Sequence, residues 1–129
     1  MRRSIVTPAL VWSTAATGLF AVVGGLAAWG AGPIWSQDPQ SATWLQWTDL
    51  LVTGPLCLLT AATLRRRHRF APILAAATGG VLVFGSVAVY VQVLSDGPPY
   101  PMTWVLLPLA GLALAAALLW WAAEPPAVS

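Results

Sequence analysis

Apolar residues in this chain run together rather than alternating with polar ones. Four long runs stand out: Ser4–Gly30, Trp44–Leu64, Phe70–Leu94 and Met102–Ala123. Each is near the ~20 residues that an α-helix needs to cross the hydrocarbon core of a bilayer. Backbone amides in lipid must find partners within their own segment, so each run predicts a helix. A β-barrel would show shorter segments with strand alternation, and none is present. The connections are Ala31–Thr43, the tight Arg65–Arg69 turn and Ser95–Pro101. The pattern therefore predicts an all-α polytopic membrane protein, a single four-helix transmembrane bundle over residues 1–129.

Composition strengthens that expectation. Of 129 residues, 58% are hydrophobic and 8% charged, against about 25% charged in an ordinary soluble domain. A soluble chain this short has too much surface for its volume to hide so much apolar area. The lipid bilayer is thus the first partner to expect.

Charge then orients the helices. The only basic residues are Arg2, Arg3, Arg65, Arg66, Arg67 and Arg69, and neither of the other two connections carries Lys or Arg. With four spans all six fall on one side, which the positive-inside rule makes cytoplasmic, together with both termini. These arginines flank apolar spans instead of lining a soluble surface, so nucleic acid is not an expected partner. The absence of lysine beside abundant Ala, Arg and Trp suggests a GC-rich bacterial genome, hence a bacterial plasma (inner) membrane. A cleaved signal peptide is the rival for the amino terminus. Its apolar run is longer than the usual ~7–15 residues, and its removal would leave the other spans oriented alike.

Aromatic and turn-forming residues fit the same scheme. Trp29, Trp35, Trp44, Trp47, Trp104 and Tyr100 flank the outer span ends, while Trp120 and Trp121 close the inner end of the fourth. Indoles favour the headgroup level, where the ring is half apolar and the N–H stays wet. Thr43-x-x-Gln46 is a capping-box pattern for the second helix. Asp38-Pro39 and Asp96-Gly97-Pro98-Pro99 are turn formers. Small residues at four-residue spacing offer close helix approach: Thr17, Ala21 and Gly25; Ala75 and Gly79; Ala76 and Gly80; Gly111 and Ala115.

Candidate chemistry is sparse. At 100° per residue, Asp49, Thr53, Thr60 and Thr63 share one stripe of the second span, and Thr78, Gly85 and Gln92, with Tyr90 nearby, share one of the third. Asp49, Thr53, Tyr90 and Gln92 fall in the outer half of the membrane, where a polar ligand pocket would open outward. An intramembrane carboxylate is a functional candidate by default. Asp49 also lies within two turns of its helix start, where the helix dipole favours an anion, so a structural role stays open beside a ligand or proton role. Pro55 should bend this helix. The arginines at 65, 66, 67 and 69 set topology and could attract anionic lipid headgroups.

Several functions lack the necessary residues. His68 is the only histidine and sits in a turn, so paired haem ligands are excluded. Without lysine there is no Schiff base, and Cys57, the only cysteine, cannot form an intrachain disulfide. No His, Cys or acidic cluster suggests a metal site, so no cofactor is expected. Trp47-Thr48-Asp49 leading to Pro55, the Arg-rich turn and Tyr90 in the third span resemble a functionally unassigned group of small bacterial four-span membrane proteins. The resemblance runs from about Trp44 to Trp121 and implies architecture, not activity. The expectation is a non-enzymatic accessory or interaction subunit, working with a membrane partner or a second copy. The alternative is a binder or carrier of a small apolar or cationic molecule around Asp49.

Overall fold

The computed structural model describes residues 8–31, 48–100 and 102–124, without the side chains of 27–31, 49, 50 and 103. All regular structure among them is helical. Helix α1 spans Pro8–Ala31. A π-helical turn over Asp49–Thr53 leads into α2, Gly54–Arg65. Helix α3 spans Ala71–Asp96 and α4 spans Met102–Ala123. Helices α1, α3 and α4 are long and apolar enough to cross a membrane. At 1.5 Å per residue they measure roughly 33–39 Å, against ~30 Å of hydrocarbon. Helix α2 with its π turn is shorter. Its expected start at Trp44 and the capping residues Thr43 and Gln46 lie outside the described residues, as do Arg2, Arg3 and Trp35.

Prolines shape two helices. Pro55 offers no N–H, and its ring would strike the carbonyl four residues back in an α-helix. The chain answers with the wider π turn immediately before it, so the expected bend takes the form of a widened turn. Pro108 lies inside α4, where it deprives the carbonyl of Trp104 of its helical donor. Pro72, in the first turn of α3, removes no bond because those amides have no helical partner anyway.

The arginine turn ends α2 with a complete Schellman motif. The N–H of His68 donates to the carbonyl of Thr63 at 2.9 Å and that of Arg67 to Leu64 at 3.2 Å. Arg67 takes the left-handed position, φ 52°, which usually falls to glycine because a Cβ is crowded there. A cation stands where backbone preference alone would put Gly. Arg65 to Arg69 are all exposed, and the Arg69 guanidinium lies 4.8 Å from the centre of the Phe70 ring. At the other end Gly97, φ 78°, stops α3, and Pro98-Pro99 cannot extend it.

The core gathers where the helices meet near the arginine turn: Val11, Cys57, Leu64, Ala71, Ala75 and Leu118 are buried together. Trp121 joins them at 7% exposure while Trp120 is 72% exposed. Of the two indoles expected at the headgroup level, one turns outward and the other fills the bundle. A smaller cluster, Val89 and Val93 with Trp104 and Leu107, closes the far end between α3 and α4.

The seams between helices differ. Helices α3 and α4 make the most extensive contact, α1 lies along α2, and α1 meets α4 over few positions. Gly79 lets α4 close on α3: a Cβ there would lie 2.7 Å from Leu119 Cγ. Gly18 does the same for α1 on α2, with Cys57 Cβ at 3.0 Å from the same virtual atom. Cys57 thus packs as a small apolar side chain at 0% exposure. Ala76 and Gly80 face outward, with open space around Gly80, so of the two overlapping small-residue pairs on α3 only Ala75 and Gly79 serve packing.

Candidate functional site

The α1–α4 seam contains a cavity, and polar residues join α2 to α3 beside it. Below it, the Thr78 hydroxyl donates to Thr60 Oγ1 at 2.6 Å, and Thr60 donates to the carbonyl of Leu74 at 3.2 Å. Both threonines are fully buried. The chain of bonds uses each hydroxyl once as donor, and it clasps α2 to α3. In apolar surroundings such interhelical bonds contribute about 0.6–1.7 kcal/mol each. Thr63 donates to the carbonyl of Thr60. The threonine stripe of α2 therefore faces the bundle, as its periodicity predicts.

Above this clasp lies a cavity of about 390 Å³ between α1, α3, α4 and the π turn. Phe20 and Ala21 line it from α1, Leu82 and Val89 from α3, Leu107 and Pro108 from α4. Its polar groups are the hydroxyls of Thr17, Thr53 and Ser86, and no charged side chain is among its described lining. Thr17 donates to the carbonyl of Ser13 at 2.8 Å. Thr53 and Ser86, 8% and 7% exposed, make no side-chain hydrogen bond to a described residue. Ser86 Oγ sits against Gly111, 2.7 Å from where a Cβ would stand. Glycine at 111 is what lets that hydroxyl lie in the seam. At the rim Phe20 and Ala110 are exposed, so the cavity opens sideways between α1 and α4.

A groove of about 610 Å³ continues along the same seam toward the arginine end. Ala9 and Ser13 on α1 and Ala113 and Ala117 on α4 line it beside Leu10 and Leu114, with Trp120, Trp121 and Glu124 at its end. Thr17 and Ala110 belong to both hollows.

Of the four residues predicted to form an outward pocket, three have described side chains. Thr53 lines the cavity. The Tyr90 hydroxyl donates to the carbonyl of Val105 at 2.7 Å, one residue beyond the carbonyl that Pro108 deprives, and so supports the weakened turn of α4. The Gln92 amide donates to Asp96 Oδ1 at 3.1 Å in the last turns of α3. The backbone of Asp49 opens the π turn, and its side chain lies outside the described residues. Extrapolation at 100° per residue from Thr60 ceases to hold upstream of Thr53, because a π turn winds more slowly.

Sequence reasoning missed Ser86, Gly111's part in placing it, and the groove. A lone serine in an apolar helix usually bonds back to its own helix, as Thr14 does to the carbonyl of Leu10 at 2.8 Å. Only the missing back-bond distinguishes Ser86. No group of three or more His, Cys, Asp or Glu that could hold a metal occurs among the described residues. No protein-family model, curated protein or solved structure matches the chain.

Proposed function

We propose that this chain is a four-span accessory protein of a bacterial plasma membrane, non-enzymatic, which uses its α1–α4 seam to hold a membrane partner or a second copy. Both termini and the arginine turn face the cytoplasm in this reading. The placement of all six arginines on one side of a four-span scheme supports that orientation. The likeness of Trp47-Thr48-Asp49, Pro55, the arginine turn and Tyr90 to small bacterial four-span proteins supports the bacterial setting.

One observation carries the functional part. The groove beside α1 and α4 is walled by Ala9, Ser13, Ala113 and Ala117, and small side chains in lipid are what let a helix backbone approach closely. Within the chain nothing described fills this groove, whereas the equally small seam between Ala75, Gly79 and α4 is filled.

A photo-crosslinking side chain placed at exposed Ala113 tests the idea in native membranes. The expected result is a discrete adduct, either twice the chain mass or that of one partner, lost when Ser13→Leu fills the groove. Recovery of bare monomer alone would count decisively against it. A reporter fused at Ser129 should remain inside the cell; an external signal removes the topology.

A further inference from the structure

The cavity above the threonine clasp carries a second inference, independent of the partner reading. We infer that it is a binding site for a neutral, membrane-soluble molecule with an apolar body and one carbonyl or hydroxyl group, received sideways from the bilayer between α1 and α4.

Three properties of the site select this chemistry. Its lining is mainly aliphatic and aromatic, with Phe20, Leu82, Val89 and Leu107 facing about 390 Å³ of space, a volume within the ordinary range of small-molecule pockets. No charged side chain is among the described lining, so an ionic ligand would be desolvated without a counter-charge. Thr53 and Ser86 are each more than nine-tenths buried, line the cavity, and lack a described side-chain partner. A hydroxyl both donates and accepts, so two of them suit a carbonyl oxygen or an alcohol equally. Thr14 and Thr17, on the neighbouring helix, satisfy their hydroxyls within their own backbone. The contrast sets Thr53 and Ser86 apart from the hydroxyls of α1 that their own helix satisfies. The rim residues Phe20 and Ala110 are exposed midway along spanning helices, which puts the entrance in lipid rather than water.

The test uses the full-length chain in nanodiscs of phosphatidylethanolamine and phosphatidylglycerol, with empty nanodiscs as the reference for partitioning. The probes are 2-acetylnaphthalene and 2-isopropenylnaphthalene, which share a shape and differ by a carbonyl oxygen in place of a methylene. Equilibrium dialysis should give one saturable site per chain for the ketone, bound about tenfold more tightly than the hydrocarbon, the value of one satisfied hydrogen bond. Ser86→Ala and Thr53→Val should together erase that preference while leaving hydrocarbon binding unchanged. Gly85→Leu, at a position where a Cβ meets nothing within 4 Å, should fill the cavity and abolish binding of both probes with helical content intact. Equal affinity for the two probes, no saturable binding, or a preference that survives loss of both hydroxyls overturns the assignment. A cavity that holds only water gives the first or second of these results.

Discussion

Helix α4 packs against α3 and α1 and treats them differently. Its seam with α3 and its seam with α1 are both rich in Ala and Gly, yet the first is closed and the second contains a cavity and a groove. In the closed seam, the small residue receives something: Gly79 receives Leu119. In the open seam, small faces small, Ser13 and Thr17 against Ala113 and Ala110. Helix α1 cannot come closer because it is already committed to α2, where Gly18 rests on Cys57 and Leu58. Small residues thus permit close approach but do not cause it; a complementary side chain, or freedom of the helix to move, must supply the rest.

Substitutions can break or sharpen this contrast. Leu118 is fully buried on the closed side of α4, so Leu118→Ala should cost about 2–5 kcal/mol, read by unfolding in mixed micelles. On the open side, Ala113→Leu should change stability by no more than about 0.5 kcal/mol. A comparable loss at both sites would show that the seams are alike. Next in size, Gly79→Leu must displace Leu119 and should cost about 1–3 kcal/mol. Gly85→Leu meets only space and should be neutral or stabilising by up to about 1 kcal/mol through helix propensity.

The clasp between the pairs ranks third. A double-mutant cycle on Thr60→Val and Thr78→Val should give a coupling of about 0.6–1.7 kcal/mol. A coupling near zero would mean that the 2.6 Å bond adds nothing to α2–α3 association. The smallest effect belongs to Tyr90→Phe, which removes the bond to Val105 and should cost under about 1.5 kcal/mol. That loss should persist unchanged when the α1–α4 groove is filled by Ser13→Leu.

Much of the architecture was legible because solvation is a coarse and reliable signal. The apolar runs predict α1, α3 and α4 to within a few residues, and the threonine stripe of α2 faces inward at Thr53, Thr60 and Thr63. What was not legible depends on pairing between helices. Ala75/Gly79 and Ala76/Gly80 are equivalent as spacings, and only the position of Leu119 distinguishes them. Trp121 reads as an interfacial indole, yet its neighbours in three dimensions bury it. The π turn before Pro55 also escapes periodicity, since it is the local remedy for a clash and leaves no pattern of its own. The partners of Tyr90 and Gln92, Val105 and Asp96, likewise cannot be read from a single helix face, and Ser86 carried no signal in the sequence.

The Thr60–Thr78 clasp has a mechanical corollary. With the short arginine turn, it binds the two helix pairs like the spine of a book, and the α1–α4 edge is where the covers part. Widening that edge would leave the interlocked faces inside either cover together while it strained the core between the covers. Whatever enters the gap therefore works against the spine and against the core that Val11, Leu64 and Leu118 share beside it, and stiffening or loosening those two threonines would alter how far the covers spread.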